Sequence, residues 1–119
     1  MDYTDLIALA KSTTHVGALD CANAVGEATN ASCGDFCKVW LKIVGGKIEV
    51  MQYEATGCVI SRAAAAVLAG SVIGPIGLIG PMSGNHIREL LSVPISPLRE
   101  RCLTTALVAL QNALKSYEA

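Results

Sequence analysis

Three cysteines in this sequence have neighbours that suit metal or sulfur chemistry. Cys33 is followed by Gly34 and Asp35. In an extended segment, residues two apart point the same way. The Cys33 thiolate and the Asp35 carboxylate then share a side, a soft donor beside a hard one. Gly34 between them lets the backbone turn tightly beside a ligand. Cys58 follows Gly57 and opens an alanine-rich stretch. A helix starting there favours its thiolate through the helix dipole and the free amides, and Arg62, four residues on, lies on the same face. Cys102 is preceded by Arg101, with Arg99 nearby. Positive neighbours make a thiol a better nucleophile and ligand. Three thiolates and a carboxylate from separate elements would make a four-ligand site of the kind that holds Zn²⁺ or an iron–sulfur cluster. Spacing alone does not bring them together, and no CxxC pair is present. Each cysteine also has a plainer reading. Cys58 fits a small buried helix-start residue, Cys102 an incidental thiol in a charged helix start, and Cys37 a core strand residue.

Two other chemistries find less support. Cys–His catalysis needs a His beside a Cys, and His15 and His86 are both distant from cysteines in sequence. They read as surface or capping residues. Gly70, Gly74, Gly77 and Gly80 are not followed by the GK[ST] of a phosphate loop. Cys21 lies in a loop-like stretch and reads as incidental.

The elements that must position these residues can be read from pattern. Asp5 to Lys11 reads as a short helix, broken by Ser12 to Gly17. Residues 18 to 34 are small and mixed, with turn signals at Asn23, Gly26 and Asn30 and room for one weak strand. Asp35 to Val44 alternates, with Val39, Leu41 and Ile43 on one face. Gly45-Gly46 is a hairpin turn, and Lys47 to Ala55 alternates again. There the pattern puts Ile48, Val50, Gln52 and Glu54 on one side and Glu49, Met51 and Tyr53 on the other. Cys58 to Ala69 reads as helix, ended by Gly70. Ser83 to Leu91 is another short helix. Ser96-Pro97 is a start signal for the longest helix, which runs to Tyr117 with Leu103, Leu107, Leu110 and Leu114 as its apolar stripe. Strands followed by helices imply an α+β fold, a small antiparallel sheet with helices on one face.

Composition narrows the partners. The chain of 119 residues is one domain by length, spanning residues 1–119. A hydrophobic content of 52% with 16% charged residues excludes a disordered chain. A net charge of −1 and 4% aromatics offer neither a basic face nor a stacking platform, so nucleic acid is not an expected partner. Ala63 to Met82 is long and apolar enough to span a bilayer, but Pro75, Pro81 and the recurring glycines break it. It reads as a buried helix and an apolar loop, with no membrane partner. MDYTDLIALAKS has two acids before its first Lys, unlike a secretory signal. Five cysteines, an odd number, then point to a reducing, cytoplasmic setting.

Three segments taken together resemble a known family. Asn30-Ala-Ser-Cys33-Gly-Asp35, Tyr53-Glu-Ala-Thr-Gly-Cys58-Val-Ile-Ser-Arg-Ala and Arg99-Glu-Arg-Cys102 are similar to motifs of the U-type iron–sulfur scaffolds (IscU, SufU and the N-terminal domain of NifU). The likeness runs from the first helix to Tyr117. It implies a three-stranded antiparallel sheet with helices on one face. It implies ligation by Cys33, Asp35, Cys58 and Cys102 of a transient [2Fe–2S] or [4Fe–4S] cluster, or of Zn²⁺ at the same place. It also implies a PLP-dependent cysteine desulfurase as sulfur donor and apo iron–sulfur proteins as acceptors. Asp35, a harder and weaker partner for iron than a thiolate, suits a cluster that must leave. Cys102 is the expected first persulfide acceptor, since Arg99 and Arg101 favour its thiolate. The chain departs from the pattern in places. Arg101 stands where IscU-type members have His, as in the SufU branch, where zinc is bound and sulfur relayed. Only 43 residues separate Cys58 from Cys102, as in the IscU arrangement. Val93-Pro-Ile-Ser-Pro-Leu98 replaces the usual Pro-Pro-Val-Lys segment, which weakens the expectation of an Hsp70-type chaperone partner.

Overall fold

The computed structural model describes residues 3–31, 34–79, 82–91 and 100–118. Cys33, Pro81, Val93–Leu98, Arg99 and the start signal at Ser96-Pro97 lie outside the described residues. Among the described residues, four α-helices and four strands follow in chain order: α1 (Tyr3–Lys11), β1 (Ala24–Asn30), β2 (Asp35–Val44), β3 (Lys47–Thr56), α2 (Val59–Ser71), β4 (Gly74–Pro75), α3 (Gly84–Leu91) and α4 (Glu100–Glu118). The fold is α+β, with one sheet in the order β1-β2-β3-β4.

The sheet has four strands where three were expected. β4 is a two-residue edge piece pairing with Lys47 and Ile48, drawn from the segment that reads as an apolar loop. β1, the weak strand, pairs along its whole length with β2, so Gly26 and Asn30 are strand residues rather than turn residues. Asn23 acts just before β1. Its amide donates to the Ile43 carbonyl at 2.7 Å and accepts from the Ile43 N–H at 2.9 Å, extending the ladder by a side chain. The β2–β3 turn is made by Gly45 and Gly46 at φ +60° and +75°, the left-handed pair such a tight hairpin needs.

One face of β2 is wholly buried: Asp35, Cys37, Val39, Leu41 and Ile43. β3 departs from strict alternation. The register shifts between Lys42 and Ile43, so Val50 pairs with Lys42 and Ile48 with Ile43. That irregularity brings Ile48 inward with Met51 and Tyr53 and leaves Val50 exposed, against the pattern read from sequence. On the outer face, Glu27, Lys38 and Glu54 form a row of alternating charge across three strands.

α4 lies on β1. A Cβ at Gly26 would run into the α4 backbone at Ala109 and Ala113, so glycine is what permits this approach. Leu103, Leu107, Leu110 and Leu114 are all buried, as their spacing predicts. α2 packs against α1, α4 and β3, and its four consecutive alanines, Ala63 to Ala66, are buried there. α2 runs to Ser71, past Gly70, with Val72 as its cap. Among the described residues, no helix is long and apolar enough to cross a membrane.

Candidate metal centre

β1 and β2 form a hairpin whose last cross-strand pair is Asn30 with Asp35. The short loop between them carries Cys33 in sequence, and Gly34 leaves it at φ +69°. Asp35 is the first residue of β2 and falls on its buried face, 1% exposed. A carboxylate buried so deeply must be held by donors. The Cys58 N–H donates to Oδ1 at 3.1 Å, and Asn30 Nδ2 donates to Oδ2 at 3.3 Å.

Cys58 is the N-cap of α2. Its Sγ accepts the Ser61 N–H at 3.4 Å in the place an Asp or Ser oxygen usually occupies. Gly57 before it has φ +122°, and a Cβ there would strike Asp35. The N-terminal turn of α2 thus serves two acceptors at once, giving one N–H to the Asp35 carboxylate and another to the Cys58 sulfur.

Cys102 comes from the first turn of α4 and is fully buried. The ligand atoms of Asp35, Cys58 and Cys102 all lie within 4.8 Å of one another. Around a tetrahedral Zn²⁺ with thiolate ligands, neighbouring sulfurs sit roughly 3.8 Å apart. The three donor atoms lie near that spacing. The donor chemistry fits as well, two soft thiolates and one hard carboxylate. Ser61 adds a buried hydroxyl with no partner among the described residues, in the turn that caps Cys58.

Sequence reasoning singled out all three of these residues. Cys33, the fourth expected ligand, lies outside the described residues. Cys37 continues the Asp35 face into the core, where burial pushes its thiol up to about 12. It packs as a core residue, and Cys21 is exposed. Arg101 is exposed and borders a cleft of about 280 Å³ with Asn30, Thr104 and Thr105. Arg62 lines a separate hollow of about 360 Å³ with Lys11, Ser12 and Tyr53. Its Nε is buried with no partner among the described residues. Asn30 was legible only as a turn signal. Its pairing with Asp35 appears once β1 is recognised as a strand.

A family model for the NifU-like N-terminal domain matches residues 3–119. The chain belongs to that family. Among curated proteins, the bifunctional protein NifU/MnmA of Rubrobacter xylanophilus is 36% identical over 97 residues, covering 80% of this chain and 20% of that protein. The iron–sulfur cluster assembly scaffold protein IscU of Thermotoga maritima is 37% identical over 75 residues, covering 62% of this chain and 53% of that protein. The chain thus spans about half or less of the curated relatives it matches. A crystal structure from Fervidobacterium islandicum, of a candidate iron–sulfur cluster assembly scaffold for the SUF system, superposes with a TM-score of 0.77 at 25% identity. It covers 92% of this chain and 93% of that one. The four-stranded sheet with its long last helix is therefore the fold of a NifU-like N-terminal domain.

Proposed function

We propose that this domain is a scaffold for iron–sulfur cluster assembly. It would receive sulfur from a PLP-dependent cysteine desulfurase, receive iron, and pass the finished cluster to acceptor proteins. The observation that carries the reading is the convergence of Asp35, Cys58 and Cys102, from three separate elements, within 4.8 Å. Family membership and the IscU-named relative support it. Cys33 completes the proposed ligand set.

Cluster and iron are cargo in this reading, so the site must release as well as bind. The two thiolates hold iron, and Asp35, a harder and weaker donor to iron than either, is the ligand that lets go. Sulfur transfer follows ordinary thiol exchange. A scaffold thiolate attacks the terminal sulfur of the donor's persulfide, a new S–S bond forms, the old one breaks, and the donor cysteine leaves as thiolate. Cys102 was the expected first acceptor, yet it is fully buried while Cys58 is partly exposed. Access favours Cys58. Alkylation mapped by mass spectrometry is predicted to label Cys58 before Cys102, and faster labelling of Cys102 would restore it as first acceptor.

The test of the reading is metal and acid-labile sulfide content after anaerobic purification and reconstitution. Iron with matching sulfide and a visible absorption band is expected. One equivalent of zinc without sulfide would instead support a second reading, a zinc-bound sulfur relay that stimulates the desulfurase. Arg101 in place of His is what favours that alternative. Asp35→Ala separates the two. A scaffold variant keeps its cluster longer, whereas a relay variant holds zinc less well and stimulates the desulfurase less.

A further inference from the structure

Asn30 is 8% exposed, at the end of a strand in which every second residue faces solvent. Burial of an amide there calls for a partner, and its partner is the Asp35 carboxylate. The contact has two neighbours that give it consequence. The opposite carboxylate oxygen is already fixed by the Cys58 N–H, so Asn30 supplies the second of two restraints on the carboxylate plane. Asn30 also borders the cleft shared with Arg101, Thr104 and Thr105, and so stands between that open space and the buried ligand. A carboxylate held at one oxygen swings about that bond. One held at both presents its remaining lone pairs in a fixed direction.

We propose that Asn30 is a positioning residue of the metal centre, orienting Asp35 for ligation by a hydrogen bond from its side-chain amide. The inference rests on the metal-binding reading above. Asn30 touches no metal and acts only through Asp35. Removing a group that orients a metal ligand typically lowers metal affinity ten- to a hundredfold.

The experiment is a double-mutant cycle read by Zn²⁺ affinity, measured by competition with a chromophoric chelator. Four proteins are compared: wild type, Asn30→Ala, Asp35→Ala and the double variant. Asn30→Ala is expected to bind Zn²⁺ about ten- to a hundredfold more weakly than wild type. In the Asp35→Ala background the same substitution should change affinity less than about twofold, because the residue through which it acts is gone. A purely structural role would instead lower affinity in both backgrounds. That outcome, or an Asn30→Ala protein within about twofold of wild type, overturns the proposal. If the alanine variant does not fold, Asn30→Thr takes its place, since threonine suits a strand end and its hydroxyl falls short of the carboxylate. Wild-type protein that binds no Zn²⁺ overturns the metal-centre reading itself, and the two failures are told apart by which protein shows them.

Discussion

Gly57 stands where any other residue would push Asp35 aside. Its φ of +122° is costly for a residue with a side chain, and its Cβ position lies 2.9 Å from the Asp35 Cα. Gly57→Ala is therefore predicted to cost about 2–4 kcal/mol, from backbone strain and overpacking together. It should also weaken Zn²⁺ binding, because the residue displaced is a proposed ligand. Urea unfolding of the apo-protein alongside a metal titration checks both effects. A variant of wild-type stability would mean that the loop before α2 adapts more easily than this packing implies. Cys37 gives a second prediction at this scale. Below about pH 9 its thiol is protonated in folded and unfolded chains alike. Above that the unfolded chain ionises while the buried thiol, at about 12, does not. Stability should then fall as pH rises, by up to about 1.4 kcal/mol per pH unit. Tyr53, raised by its burial and then by Cys37, adds in the same direction. Cys37→Val should flatten part of this alkaline loss in unfolding curves between about pH 8 and pH 10.5. Asp35, Cys58 and Cys102 were legible in the sequence as candidate ligands because their chemistry is written in residue type. Asn30 was not, because an asparagine before a loop says turn as readily as buried partner.

Among the elements, the β2–β3 hairpin and the α4 leucine stripe could be read directly, since each repeats its pattern for several residues. The misreadings cluster where one residue breaks a period. Ile48 turns inward through a register shift that strict alternation does not anticipate. Gly70 lies inside the last turn of α2 because Ser71 Oγ donates to the Val67 carbonyl at 2.7 Å and the helix continues to its cap at Val72. Gly26 looked like a turn and is a contact: it lets β1 approach α4, and Asn112 Nδ2 donates to the Glu27 carbonyl at 3.0 Å beside it. Gly26→Ala should displace α4 and destabilise the protein by more than about 2 kcal/mol. Since α4 carries Cys102, metal affinity should fall with it. Thermal unfolding and Zn²⁺ titration of this one variant test whether the β1–α4 contact sets the position of Cys102. Loss of stability with unchanged affinity would detach the two.

Across the whole molecule, Asp35 on β2, Cys58 capping α2 and Cys102 on α4 make the site a junction between sheet and helices. A ligand that binds only the folded chain raises its stability by mass action. Saturating Zn²⁺ at a hundred times its Kd should add about 2.7 kcal/mol, reversed by a chelator. Calorimetry with and without metal measures this directly, and an unchanged midpoint would argue against a folded-state site. The same junction has a temporal side. Asp35 and Cys58 leave the ribosome well before Cys102, and α4 must then dock on β1 before the third donor is in place. Until then the nascent chain offers at most part of the proposed ligand set. On the scaffold reading, loading would wait until α4 has emerged and packed, and a chain stalled before that point would expose no complete site to stray metal.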